Sequence, residues 1–219
     1  MAYSKEEVLR SSEGFSLGTL IVRYDLPMTL VNDINKAYDD NREKLTPWND
    51  HLAGKIVEEK LVDNLLTNDM KDVFVGCFEQ YLKSIQKPFW NVNLNTAWIN
   101  EMKAGEYNPI HHHDSPMTDM GLSSVVMLKR PSTYGKEASH ETDSCNGRLE
   151  FAGGDQNPLS TSTVRIDIEV GHFYVFPYSL LHSVYPFNGT DEVRRTMSIN
   201  CDLFKPSQQE SFQQYSRKD

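Results

Sequence analysis

A chain of 219 residues suits one large domain or two small ones, and its 38% hydrophobic and 11% aromatic side chains can fill a core. The formal net charge of -9 argues against a generally nucleic-acid-binding surface, and no apolar run reaches membrane-spanning length. The opening MAYSKEEVLR lacks the apolar centre of a signal peptide. The scattered Cys77, Cys145 and Cys201 form neither a disulfide framework nor a CxxC metal site, so a reducing cytoplasm is expected.

Helical spacing dominates the first third. Leu30, Ile34 and Ala37 predict a helix over 28–38 with Thr29 as N-cap. Met70, Val73, Phe74, Cys77, Tyr81 and Ile85 form an apolar stripe over 69–86, with Asn68 or Asp69 as cap. Near residue 90 the pattern changes to strand and turn. Strands are predicted over 95–102, 122–128, 148–151, 163–170, 172–176, 180–185 and 194–202. Asn188-Gly189 reads as a hairpin turn joining the last two. Many short strands after helices imply a β-sandwich or barrel with helices packed outside. The expected division is a single domain over 1–219, with helical support at 1–89, a β-core at 90–204 and a polar tail at 205–219. Residues 131–146 are polar and read as a long loop.

The chemistry concentrates in His111-His112-His113-Asp114, which follows Asn108-Pro109, and in His182 on a late strand. Neutral imidazole is a common metal ligand, and residues two apart on a strand point the same way. Alternation therefore allows His111 with His113, or His112 with Asp114, each joined by His182. The His112/Asp114 pair has the form of the facial triad of non-haem Fe(II), in which a carboxylate offsets the charge of the metal. A surface run of histidines is the bland alternative. Downstream, Arg194, Thr196, Ser198 and Asn200 share one strand face, while Arg195, Met197 and Ile199 take the other. A guanidinium at Arg194 with a hydroxyl at Thr196 suits a carboxylate ligand.

The segment 171–200 resembles the C-terminal half of 2-oxoglutarate/Fe(II)-dependent oxygenases. The likeness is strongest to small ones of cyanophages and marine bacteria and more distant to the prolyl hydroxylases. It rests on Gly171, Phe176-Pro177, His182-Ser183-Val184 and Arg194-Arg195-Thr196, and upstream on Trp98-Ile99-Asn100, Tyr107 through His111, Leu122–Leu128 and Gly147–Phe151. It spans roughly residues 90–204, and loops 114–121 and 131–146 are longer than it leads one to expect.

The resemblance implies a double-stranded β-helix (jelly-roll or cupin-like) core, with Fe(II), 2-oxoglutarate and O2 as cofactor and cosubstrates. It implies hydroxylation of a C–H bond as 2-oxoglutarate is converted to succinate. Arg194 and Thr196 would hold the cosubstrate, and His111, His113 and His182 the metal, with Asp114 orienting a ligand imidazole. The substrate is expected to be a small molecule or peptidyl residue. Asn100, Asn200 and Trp98 are candidate pocket residues, Trp98 equally a core residue, and Tyr107, Tyr134 and Tyr178 candidate substrate contacts. His51, His140 and His172 are not expected to be ligands. Two other readings are a cupin-like metalloenzyme without 2-oxoglutarate, which has no use for Arg194, and a non-catalytic binding module on the same barrel.

Overall fold

The computed structural model describes residues 13–16, 18–51, 54–137, 144–154 and 161–206. Helix α1 (Met28–Asn41) begins after Pro27, with no side-chain cap. Thr29 lies inside it, because proline's fixed φ starts a helix without a capping hydroxyl. Helix α2 (Asn68–Ser84) is capped one residue earlier than expected. The Thr67 side chain accepts from the Met70 amide, and Asn68 and Asp69 occupy the first turn.

Eleven strands are described, and every printed pairing among them is antiparallel. The seven-stranded sheet runs in the order β1 (Glu13–Ser16), β2 (Leu20–Asp25), β9 (His172–Pro177), β6 (Gly121–Lys129), β11 (Arg194–Phe204), β4 (Asn91–Met102), β3 (Glu58–Leu61). The four-stranded sheet runs β5 (Asn108–His111), β10 (Leu181–Val184), β7 (Leu149–Ala152), β8 (Thr163–Ile166). The protein is mainly β, with a jelly-roll core and helices outside. β1, β2 and β3 fall in the segment whose sequence reads as helical. β1 and β3 are four-residue edge strands, and β3 (EEKL) is mostly polar, so neither offers an apolar alternation to detect.

Two apolar cores follow from strand alternation. On one face of the large sheet, Ile99, Val126, Phe173, Val175, Met197 and Ile199 pack against Leu30, Ile34 and Tyr38 of α1 and Phe74, Cys77 and Phe78 of α2. On the other face, Ile21, Val125, Met127, Tyr174 and Phe176 meet Leu149 and Phe151 of the small sheet. β6 is buried along eight of its nine residues because both faces are covered, which is why 122–128 reads as a continuous apolar run.

One connection differs from expectation. β10 belongs to the small sheet, and β11 lies between β6 and β4 in the large one. Asn188-Gly189 therefore lies in a crossover between sheets, not in a hairpin. Arg194 pairs with Met102 of β4 and is not placed opposite His182. The hairpin expected at Asn188-Gly189 does not form, because a jelly-roll sends the following strand to the facing sheet.

Arg195 faces outward from β11. Its guanidinium donates to Glu101 (2.6 Å), Asn35 (2.9 Å) and Asp39 (2.6 Å) and lies 4.5 Å above the Tyr38 ring. Arg195 and Glu101, paired across β11 and β4, are each 2% exposed and form a buried ion pair, from which Arg195 also fastens Asn35 and Asp39 of α1 to the sheet. Arg195→Ala is expected to leave the buried Glu101 carboxylate with Arg42 (2.9 Å) as its remaining ion-pair partner, at a cost of about 1–3 kcal/mol. Chemical denaturation of wild type and variant measures this directly, and a loss below about 1 kcal/mol would remove the fastening role.

Candidate functional site

The two sheets enclose a cavity lined by Trp98, Asn100, Asn108, His111, His113, Ser124, His182, Thr196 and Ser198, among others. Its polar residues come from both layers. β5 and β10 pair so that His111 lies directly opposite His182. His113 follows β5, and its amide donates to the Tyr178 carbonyl (2.9 Å). That anchor depends on Gly121. A Cβ there would come within 1.9 Å of the Tyr178 ring, and the Tyr178 amide donates to the Gly121 carbonyl. The Tyr178 hydroxyl donates in turn to buried Asp202 (3.1 Å). Tyr178 thus supports the backbone at His113; sequence alone suggested it only as a substrate contact.

One ring nitrogen each from His111, His113 and His182 lie within 4.8 Å of one another. Among the described residues, this is the group of three or more such side chains that come together. His111 Nδ1 lies 2.7 Å from the Pro109 carbonyl and His182 Nδ1 lies 2.9 Å from the Leu180 carbonyl. Both Nδ1 atoms therefore carry the proton, and both Nε2 atoms present a lone pair to the cluster. His113 Nε2 stands 3.1 Å from His182 Nε2. Phe176 and Phe151 pack edge-on and tilted against the His182 ring, and Trp98 stacks obliquely toward His113. Trp98, 3% exposed, is at once a core residue and part of the cavity wall.

Burial in this apolar frame pushes all three imidazoles toward the neutral form. His182 falls to about 3, His113 lies well below the usual histidine value, and His111 is lowered as well. His112 and Asp114 point the other way. Both are exposed and line an outer cleft with Trp48, Asn95, Pro116 and Asn200. His172 lies near Asp25 at the start of β9, and Tyr107 is 41% exposed. The expectations for the His51 and His140 side chains, and those for the N-terminal segment and for the tail beyond residue 206, fall outside the described residues.

Further along the same inner face of β11, Thr196 and Ser198 line the cavity and Arg194 follows, 2% exposed. Nε and Nη2 of Arg194 are buried without a hydrogen-bond partner, and among the described residues no carboxylate pairs with it. Asn100 and Asn108 also carry unpartnered buried amide oxygens.

Residues 96–200 match the family described as "Putative 2OG-Fe(II) oxygenase". That stretch contains the histidine cluster and the buried arginine. Over that stretch the chain resembles this family, which implies Fe(II), 2-oxoglutarate and O2 as cofactor and cosubstrates. Solved structures agree at the level of fold. A prolyl-4-hydroxylase from Pseudomonas putida is 13% identical, with a TM-score of 0.54 over 92% of this chain and 98% of its own. A non-heme alpha-ketoglutarate-dependent carbocyclase from nogalamycin biosynthesis is 14% identical, with a TM-score of 0.57 over 93% of this chain and 87% of its own. A prolyl hydroxylase from Trichoplax adhaerens, solved with a peptide fragment of hypoxia inducible factor, is 9% identical with a TM-score of 0.51, over 90% of this chain and 88% of its own. No curated protein matches the sequence. Among the described residues, no helix is long and apolar enough to cross a membrane.

The depressed histidines carry a consequence for metal-stripped protein. Below about pH 6.5 the unfolded chain protonates these imidazoles while the folded chain holds them neutral, so the unfolded state binds more protons and stability falls with pH. For His182 the window runs from about 6.5 down to about 3. The expected slope is up to about 1.4 kcal/mol per pH unit for each histidine. Urea denaturation between pH 7 and pH 5 should show this decline, less steep in His182→Gln. An identical slope in the variant would mean that His182 is not held neutral by burial.

Proposed function

We propose that the protein hydroxylates a C–H bond of a small-molecule or peptidyl substrate, with residues 90–204 as the catalytic core of a single domain. His111, His113 and His182 would hold the iron, and Arg194 with Thr196 would hold the distal carboxylate of 2-oxoglutarate. The observation that carries this reading is the buried guanidinium of Arg194. A cation taken out of water without a counter-charge is costly, and an anionic ligand entering the cavity relieves that cost. A cupin-like metalloenzyme without 2-oxoglutarate has no need of it.

The donor set fits the metal. Metal–imidazole bonds of about 2.1 Å at right angles put neighbouring nitrogens about 3 Å apart, and His113 and His182 stand 3.1 Å apart with burial favouring neutral rings. The Pro109 and Leu180 carbonyls fix ring orientation and leave Nε2 for the ion, as hydrogen-bond partners of ligating histidines do. With three neutral ligands, 2-oxoglutarate supplies the negative charge that a ligand carboxylate would otherwise provide. Exposed Asp114 and His112 remain available to the substrate-side cleft.

With 2-oxoglutarate and O2, bound iron supplies the oxidising power to convert R–H to R–OH, the keto acid leaving as succinate and CO2. The protein's own residues orient and exclude. Thr196 can donate its hydroxyl to the carboxylate held by Arg194. Asn100 and Asn108 can turn either amide N–H or oxygen toward a ligand. Phe151, Phe176, Val125 and Leu149 keep water from the back of the cavity. The substrate approaches through the cleft of Trp48, Asn95, His112, Asp114 and Asn200, whose mix of aromatic, polar and acidic groups suits a polar organic molecule or an extended peptide.

Anaerobic, Fe(II)-loaded protein is expected to bind 2-oxoglutarate and, when oxygen is admitted, to release succinate. Arg194→Ala should raise the 2-oxoglutarate requirement about ten- to a hundredfold, the loss of one charge-assisted contact. His111→Ala should lose iron, measured by metal analysis after desalting, while His112→Ala stays loaded. The reverse pattern would install the His112/Asp114 pair, and loaded protein that ignores 2-oxoglutarate would sink the proposal.

A further inference from the structure

His113 is the member of the histidine cluster that lies outside the strands. His111 ends β5 and His182 belongs to β10, and the two face each other across a paired ladder. His113 stands two residues beyond the end of β5, where the long connection 114–121 begins. A ligand in such a place needs support from elsewhere, since a working metal site holds its groups to within about 0.5 Å. Two contacts supply it, one on each side. The His113 amide donates to the Tyr178 carbonyl (2.9 Å), and two residues on the Ser115 hydroxyl donates to Oδ2 of Asp202 (3.1 Å). The Tyr178 hydroxyl donates to Oδ1 of that same carboxylate (3.1 Å). Both grips therefore end on Asp202.

Asp202 extends the inner polar strip of β11 one place past Asn200. It is 1% exposed, and among the described residues no Lys, Arg or His pairs with it. Its third donor is Asn95 Nδ2, at 3.2 Å from Oδ2. A β-bulge brings Asn95 there. Asn200 pairs with Thr96 and Cys201 with Leu94, so Asn95 has no opposite residue on β11. Consecutive Asn95 and Thr96 then both line the outer cleft, which regular alternation forbids and a bulge permits. The connection after His113 is strapped to the end of β11 further along as well. The Thr118 hydroxyl donates to the Leu203 carbonyl (3.4 Å), and the Leu203 amide donates to the Met120 carbonyl (3.0 Å). A carboxylate only accepts, through two oxygens, so a side chain of this size can take three converging donors. Burying one costs free energy that a neutral space-filling residue would avoid.

We propose that Asp202 positions His113 for the metal, gripping it from both sides, and through Asn95 joins that ligand to the wall of the outer cleft. This rests on the metal site proposed above and adds a residue that sequence reasoning passed over. Asp202 is a positioning residue. It acts through Tyr178, Ser115 and Asn95 and requires no contact of its own with metal or substrate. Cleft and metal ligand then share one buried carboxylate. A substrate that draws Asn95 away from Asp202 removes a donor from the group that holds His113, so occupancy of the cleft is felt at the metal.

The test is titration of metal-stripped protein with Co(II), whose visible absorption reports both its affinity and the geometry of its ligands. Asp202→Asn keeps the size of the side chain, but its single amide oxygen can take only one of the two grips. Co(II) affinity should fall about ten- to a hundredfold, with a changed band shape. Tyr178→Phe and Ser115→Ala each cut one grip and should each weaken Co(II) by less. Adding Asp202→Asn to the pair of them should cost little more, because all three act through one carboxylate. Wild-type affinity and band shape in Asp202→Asn overturn the proposal even if its Tm is lower, since that pattern belongs to a residue that serves the fold alone. Should Asp202→Asn fail to fold, the two milder variants decide, and unaltered Co(II) binding in both overturns the proposal. These results leave the three-histidine site standing. His113→Ala that binds Co(II) as tightly as wild type overturns the site and the proposal together.

Discussion

Alternation along one buried strand sets the terms for the rest of the structure. β11 is covered on both faces, so neither Arg194 nor Arg195 can reach bulk water, and each must find its counter-charge where its face leads. Arg195 faces the helices and finds Glu101 and Asp39. Arg194 faces the barrel and finds, among the described residues, no carboxylate. The same peptide unit thus separates a fastening of the fold from a binding group. A one-residue slip of β11 would exchange the two and carry Met197 and Ile199 out of the helix-facing core into a polar cavity.

The histidine cluster depends on the opposite sheet in a similar way. Pairing of β5 with β10 sets His111 across from His182, and the Tyr178 carbonyl draws His113 in behind them. The carbonyls of Pro109 and Leu180 settle which nitrogen is free. The three histidines then line one cavity between the sheets with Thr196, and Arg194 follows on the same strand face, on elements that sequence separates widely. A ligand with a chelating end and a distal carboxylate spans that arrangement, which is how the fold of the small sheet and the register of the large one become a single chemical requirement.

Much of this was legible beforehand where side chains repeat with a clear period. The stripe of α2, the run of β6 and the two-residue alternation of β11 all read directly, and the last of these separates Arg194 from Arg195. His-x-His against His-x-Asp could not be decided from spacing, since both obey the same alternation. The difference lies in which face meets the barrel, and that is set by pairing with β10 through His182. The short edges β1 and β3 carry no apolar alternation, so they were hidden within a segment that reads as helical. Asn188-Gly189 reads locally as a hairpin turn, but local sequence does not say in which sheet the next strand pairs, and here it is the facing one. Tyr134 sits in a polar loop with no periodic signal; its packing depends on Met102 and Phe187 from distant parts of the chain and on nearby Arg130.

The most direct test of the central claim is a crystal structure of the anaerobic, metal-loaded protein with 2-oxoglutarate, with the metal located by anomalous scattering. The expected result is one metal ion bound by Nε2 of His111 and His182 and a nitrogen of His113, with the cosubstrate's distal carboxylate against Arg194. A metal held by His112 and Asp114, or a carboxylate bound anywhere but at Arg194, would contradict it.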